Sequence, residues 1–245
     1  MTATGTGIGA PVRRKEDQRF ITGKGQYTDD ISRPGETRAL FVRSPHAHAK
    51  IKKIDAAGAK GMPGVLAVLT GAELAADKVG NLICGWMIHN KDGSPMKAGA
   101  HPALAQGKVR YVGDHVAVVI AETYQQAKDA AEQIHVDYQV LPAVVDMNKA
   151  KGSPAIHDVA PDNVVYDWHL GDKAATDAAF AKAKHVTKID LVNNRLIPNA
   201  MEPRAAIGDF DSGTGVYTLY TTSQNPHVAR LVLSAFVGIA PEHKL

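Results

Sequence analysis

Apolar residues recur along the first half of the chain with the short, alternating spacing that is typical of strands. Runs rich in β-branched residues predict strands at residues 38–43, 49–54, 65–69, 108–121 and 135–138. The run 108–121 contains Gly113 and Asp114, which predict a turn between two strands. This part of the chain is therefore rich in strands.

Helices are predicted where apolar residues recur three or four positions apart. The predicted helices in the first 190 residues are 72–76, 124–133 and 172–184, and residues 55–60 predict a short helical turn. Thr70 and Glu73 form a capping box before the first helix, and Thr123 is the N-cap of the second. The mixture of strands and helices indicates an α+β fold.

The second half of the chain predicts further strands at 164–170 and 186–192, followed by a β-hairpin formed by 205–209 and 216–221. Pro226 then opens a helix, because proline is favoured at the first helical position. The residues expected on one face of this helix are all apolar: Val228, Leu231, Val232, Ala235 and Phe236.

Three stretches lack the regular spacing of apolar residues that predicts strands or helices. Residues 1–8 are small and glycine-rich, and they predict a mobile terminus. Residues 80–107 form a long irregular segment, and such segments are usually functional or interfacial. Residues 143–162 resemble a linker and predict a domain boundary.

Composition narrows the class of protein. The chain has 245 residues, of which 44% are hydrophobic and 22% charged, with a net charge of +3. These values indicate a globular protein and do not favour nucleic-acid binding. No apolar run has transmembrane length, and a single cysteine excludes an internal disulfide or a cysteine-ligated iron–sulfur cluster. A cytoplasmic protein is expected, and a peripheral position at the inner face of the membrane is left open.

Few residues are candidates for metal chemistry. His46 and His48 are two positions apart, so on a strand they share a face and can bind one metal ion. Without a third ligand nearby, a structural role is favoured, and no metal ligands are assigned. Cys84 is interpreted as a small structural residue.

Three charged or titratable residues near the hairpin are candidates for catalysis, but each also has a structural explanation. Glu202 and Arg204 can serve as acid and anchor, although an ion pair between them is the favoured interpretation. His227 can act as a base, or it can satisfy backbone groups at the helix start.

Gln224 lies between the second strand of the hairpin and the helix that Pro226 opens. Its amide offers two donors and one acceptor, so it can orient a polar ligand without carrying charge.

Five long segments of the sequence carry a family resemblance: GAPVRRKEDQRFITGKGQYTDDI (9–31), FVRSPHAHAKI (41–51), KVRYVGDHVAVVIAET (108–123), NAMEPRAAIGDFD (199–211) and TTSQNPHVARLVLSAF (221–236). With these segments the chain resembles the large, molybdenum-binding subunit of the molybdenum hydroxylases, the xanthine dehydrogenase family, and within it the aerobic carbon monoxide dehydrogenases.

The resemblance implies an α/β hammerhead domain at 23–145, after a mobile segment at 1–22. Residues 146–245 are then the incomplete start of a molybdenum-cofactor-binding domain. It also implies oxidation of carbon monoxide or a related small substrate with water. The expected cofactor is molybdopterin cytosine dinucleotide, and Gln224 is expected to donate a hydrogen bond to an oxygen ligand of the molybdenum, as a catalytic and cofactor-binding residue.

The same resemblance implies an FAD-binding medium subunit, a [2Fe-2S] small subunit and a dimer of heterotrimers. The family's glutamate base and active-site loop do not occur in these residues, so the chain is expected to be a truncation or one piece of a split subunit, inactive alone. Two alternatives remain. One is a non-catalytic scaffold or assembly module, and the other is a metal-binding protein built on His46 and His48.

Overall fold

The computed structural model describes residues 7–10, 12–194 and 196–245. Most of the predicted mobile terminus at 1–8 lies outside the described residues. The chain forms two compact units. The smaller comprises the described residues of Met1–Glu36 with Glu202–Gln224, and the larger comprises Thr37–Met201 with Asn225–Leu245.

The chain contains both strands and helices. The strands are β1 (Arg38–Arg43), β2 (Ala49–Asp55), β3 (Val65–Thr70), β4 (Asn81–Leu82), β5 (His101–Pro102), β6 (Lys108–Val109), β7 (His115–Ala121), β8 (His135–Val140), β9 (Ala206–Asp211) and β10 (Val216–Thr221). The α-helices are α1 (Asp17–Ile21), α2 (Ala57–Lys60), α3 (Gly71–Ala76), α4 (Tyr124–Glu132), α5 (Lys173–Lys182) and α6 (Pro226–Leu231).

In the larger unit, β7 is the central strand of an antiparallel sheet with the order β1-β7-β3. Nearly every residue of β7 is buried, which explains its almost continuous β-branched sequence. Helix α4 packs on this sheet through Ala127 and Ala130, whose small side chains allow close approach. The sheet, α2 and α4 therefore share one hydrophobic core.

A second antiparallel sheet has the order β6-β2-β8. The sequence predicted two strands within 108–121, and both are present, but they do not pair with each other. Strand β6 pairs with β2, whereas β7 pairs with β1 and β3. The intervening turn, where Gly113 has a positive φ of 91°, carries the chain from one sheet to the other.

Both predicted capping residues are confirmed. The Thr70 hydroxyl accepts from Ala72 N–H at 3.2 Å, and the Glu73 carboxylate accepts from Thr70 N–H at 2.9 Å. At α4, the Gln126 side chain accepts from Thr123 N–H at 3.0 Å. These reciprocal bonds satisfy backbone donors that a helix start leaves without partners.

Two strand predictions are wrong. Residues 164–170 form no strand and make only isolated backbone bonds, such as Lys97 N–H to Val165 O at 2.9 Å. Residues 186–192 also form no strand, and their apolar side chains are exposed, Leu191 by 79%. A strand requires a continuous ladder of backbone bonds to a neighbouring edge, and among the described residues neither segment forms one. The predicted helix between them is present as α5, capped by Asp172.

In the smaller unit, the predicted hairpin is confirmed as β9 and β10, in register from Val216–Asp211 to Thr221–Ala206. The Asp211 carboxylate closes the four-residue loop by accepting from Gly213 N–H at 2.8 Å. The hydrogen bonds that Asp211 accepts within this loop, led by that from Gly213, lower the pKa of its carboxyl group.

No helix among the described residues is long and apolar enough to cross a membrane.

Candidate functional site

Gln224 lies where the sequence predicted it, between a strand and a helix. Strand β10 ends at Thr221, and Pro226 is the first residue of α6. Asn225 is the N-cap of α6, because its side-chain oxygen accepts from Val228 N–H at 3.2 Å. The Gln224 side chain is exposed and makes no hydrogen bond to any described residue, so its amide is available to a ligand.

Two hydroxyl groups anchor the chain between β10 and Gln224. Thr221 Oγ1 donates to the Ala205 carbonyl oxygen, and Thr222 Oγ1 donates to Glu202 Oε1, both at 3.0 Å. Among the described residues no ion pair joins Glu202 to Arg204, so that prediction is wrong. Glu202 instead holds the segment that leads to Gln224, a role that sequence reasoning missed. The run of hydroxyl residues after the strand was the available signal.

Arg33 binds the hairpin from the amino-terminal segment. Its Nη2 and Nε atoms both donate to Asp209 Oδ2, at 2.8 and 3.1 Å, and its guanidinium lies 5.7 Å from the centre of the Tyr220 ring. The hydrogen bond to Asp209 raises the pKa of Arg33. Arg33 thus contacts both strands of the hairpin that ends near Gln224.

Helix α6 continues into a π-helical turn, Val232–Phe236, in which Val237 N–H donates to Val232 O at 2.9 Å. Such turns occur frequently at functional sites. The Val237 carbonyl in turn accepts from Gly80 N–H at 2.9 Å. The end of the helix is thereby fixed by the long irregular segment predicted from the sequence.

The residues considered as metal ligands, together with Cys84, make contacts within the protein. His48 is buried with Nδ1 2.8 Å from Pro142 O, and His46 packs edge-on against Tyr138. Cys84 is exposed, and its thiol contacts the Trp86 carbonyl at 3.4 Å. Within the described residues, no group of three or more His, Cys, Asp or Glu side chains is arranged to hold a metal ion.

His227 does not satisfy backbone groups at the start of α6, as one interpretation of the sequence expected. Asn225 has that role. His227 is exposed and makes no hydrogen bond to a described residue.

A cavity of about 660 Å³ lies in the larger unit, with His101, Lys108, Arg110 and His157 in its wall. Burial, followed by the nearby charge of Arg110, lowers the pKa of His157. Asp114 also lines the cavity, and Lys108 is paired with Asp158 at 2.7 Å, so carboxylates balance the cationic groups. The wall therefore has no strong preference for ligands of one charge, and Gln224 does not line it.

Two family models match the chain. Residues 22–142 match the "Aldehyde oxidase and xanthine dehydrogenase, a/b hammerhead domain", and residues 156–245 match the "Molybdopterin cofactor-binding domain". Together they cover most of the chain. The chain belongs to the molybdenum hydroxylases, the family of aldehyde oxidase and xanthine dehydrogenase, with a hammerhead domain followed by sequence of the cofactor-binding domain.

The chain is also similar to individual proteins and solved structures. The carbon monoxide dehydrogenase large chain of Afipia carboxidovorans is 39% identical, over 98% of this chain and 30% of the relative. The structure of quinoline 2-oxidoreductase from Pseudomonas putida 86 superimposes with a TM-score of 0.84 at 34% identity, over 95% of this chain and 29% of that one. Reconstituted CO dehydrogenase from Oligotropha carboxidovorans gives 0.79 at 38% identity, over 97% and 30%.

The Gln224 amide has hydrogen-bonding groups of a kind that could contact a molybdenum cofactor. An amide with two N–H groups and no described partner suits an uncharged contact with an acceptor atom of the cofactor. The nearby Glu202 carboxylate accepts from Thr222, which partly offsets its negative charge. Gln224 does not line the cavity of about 660 Å³, so these residues supply a contact and not an enclosed pocket.

Proposed function

We propose that the chain is the amino-terminal part of the molybdenum-binding catalytic subunit of a carbon monoxide dehydrogenase-like oxidoreductase. The 39% identity to a carbon monoxide dehydrogenase large chain over almost the whole of this sequence supports the proposal. The chain spans about 30% of the length of that relative. The proposed reaction is oxidation of carbon monoxide or a related small substrate, with water as the oxygen source. The substrate class is kept this broad because quinoline 2-oxidoreductase is a relative of comparable similarity.

The proposed cofactor is molybdopterin cytosine dinucleotide, and the match of residues 156–245 to a molybdopterin cofactor-binding domain supports it. When bound, the cofactor supplies the redox centre that accepts electrons from the substrate. The proposed partners are an FAD-binding medium subunit and a [2Fe-2S] small subunit, assembled as a dimer of heterotrimers in the cytoplasm. The proposed domains are residues 23–145 and 146–245, after an amino-terminal segment at 1–22.

Gln224 carries the catalytic part of the proposal, because its amide lies at the strand end without a described partner. In the complete enzyme Gln224 donates an N–H to an acceptor atom of the bound cofactor. A neutral donor strengthens an interaction with developing negative charge, whereas a carboxylate at the same position would repel it.

The test replaces Gln224 in the full-length large chain and measures turnover per bound molybdenum in the assembled complex. Gln224→Ala is expected to lower turnover on the order of a hundredfold, as the loss of one positioned donor does in other enzymes. Gln224→Glu should harm turnover at least as much, since it adds repulsion. Counting only enzyme that holds molybdenum separates chemistry from failed cofactor loading.

Gln139→Ala is the matched control, because Gln139 is an exposed glutamine of β8 without a side-chain hydrogen bond to any described residue. Turnover of this control should equal that of the parent. If Gln224→Ala also retains the parent's turnover, Gln224 has no catalytic role.

A further inference from the structure

The segment between β10 and Gln224 has its own hydrogen bonds, beyond those of the strand ladder. The pairing of β10 with β9 ends at Thr221 and Ala206. The next anchor is Thr222, whose hydroxyl donates to Glu202 at 3.0 Å. This bond joins two positions 20 residues apart, one just before the hairpin and one just after it.

The bond closes the open end of the hairpin. Thr221 Oγ1 and Thr222 Oγ1 both donate across the gap between the two arms, to Ala205 O and to the Glu202 carboxylate. Without such bonds, the end of a two-stranded ribbon frays, because its outermost backbone groups face water. Gln224 is two residues beyond Thr222, so fraying would move its amide directly.

A small displacement of Gln224 matters because hydrogen bonds to reacting groups tolerate errors of only about 0.5 Å. Groups that orient a ligand typically change affinity or activity by roughly 10- to 100-fold when they are removed. We propose that Thr222 and Glu202 are positioning residues for Gln224. This inference rests on the proposed function of Gln224.

The main experiment uses the assembled, full-length enzyme and removes the Thr222 hydroxyl with Thr222→Val, which keeps the shape of the side chain. Turnover per bound molybdenum should fall roughly tenfold or more. Thr222→Ser retains the hydroxyl and should keep turnover near the parent value. Thr218→Val makes the same chemical change at an exposed position of β10 whose hydroxyl bonds to no described residue, and it should have no effect.

A double variant shows whether Thr222 acts through Gln224. Adding Thr222→Val to Gln224→Ala should lower turnover no further, because the positioned group is already absent. An independent, additive loss would overturn the inference. Glu202→Ala removes the same bond from the acceptor side and should give the same non-additive loss, so the inference stays testable if Thr222→Val fails to assemble.

A spectroscopic measurement supplies a readout other than activity. The Mo(V) electron paramagnetic resonance spectrum of the partly reduced enzyme should shift in Thr222→Val toward that of Gln224→Ala, and it should not change in Thr218→Val. If Thr222→Val retains the parent's spectrum and turnover while Gln224→Ala loses turnover, the positioning role is wrong and the proposed function stands. If Gln224→Ala itself retains the parent's turnover, both the positioning role of Thr222 and Glu202 and the catalytic role of Gln224 are wrong.

Discussion

Glu73 is expected to make the free energy of unfolding depend on pH. Its carboxylate accepts from both the backbone N–H and the hydroxyl of Thr70 at the start of α3. These bonds, led by that of the Thr70 hydroxyl, lower the pKa of Glu73 from 4.5 to about 2. Because the folded-state pKa is lowered, the stabilisation is present above the unfolded-state pKa near 4.5 and is lost as the pH falls through about 2.

Glu73→Gln should therefore reduce the loss of stability between pH 5 and pH 2. The measurement is the free energy of unfolding from urea denaturation at several pH values, for the parent and the variant. Glu122→Gln is the control, because Glu122 is exposed and its carboxylate bonds to no described residue. If the parent and Glu73→Gln lose stability equally on acidification, the pKa of Glu73 is not lowered in the folded chain.

At the scale of elements, Gly80 joins two segments that are far apart in sequence. Its N–H donates to Val237 O at the end of the π-helical turn. A Cβ atom at this position would overlap the Phe236 carbonyl oxygen, which belongs to the backbone and cannot swing away. The irregular segment and the turn can therefore pack this closely only with glycine at position 80.

Gly80→Ala should lower the free energy of unfolding by about 1–3 kcal/mol, the usual cost of overpacking. Urea denaturation at neutral pH measures it. Gly85→Ala is the matched control in the same segment, because nothing lies within 4 Å of a Cβ there and its φ is not positive. This control should be neutral or slightly stabilising. Equal stability of the two variants would show that the contact is not formed.

At the scale of the whole molecule, the described residues leave much apolar surface uncovered between 164 and 201. Trp168 is 56% exposed and Ile197 is 87% exposed. Exposed apolar side chains of this kind are typical of surfaces that pack against other protein. Gln224 is likewise exposed.

The isolated 245-residue chain is accordingly expected to hold no molybdenum cofactor, since a dinucleotide needs many convergent contacts. Metal analysis of the purified chain measures this, with the full-length large chain, produced under the same conditions, as the control. Stoichiometric molybdenum on the short chain would show that the contacts lie elsewhere in these residues.

Sequence alone determined the features that depend on neighbours a few residues apart. The capping box at Thr70, the N-cap at Thr123, the turn at Gly113 and the junction at Gln224 each depend on the order of residues within one short segment. Local hydrogen bonds and backbone preferences fix such features wherever the segment lies. The family could also be predicted from the sequence, because its motifs are continuous stretches such as 108–123 and 221–236.

Tertiary structure decided the features that depend on partners far along the chain. The alternating pattern of 186–192 is as strand-like as that of the hairpin, but only the hairpin has an adjacent edge with which to pair among the described residues. The bond between Thr222 and Glu202 spans 20 residues, and that between Arg33 and Asp209 spans 176. Which groups meet over such separations depends on the packing of the folded chain, and a local pattern does not encode it.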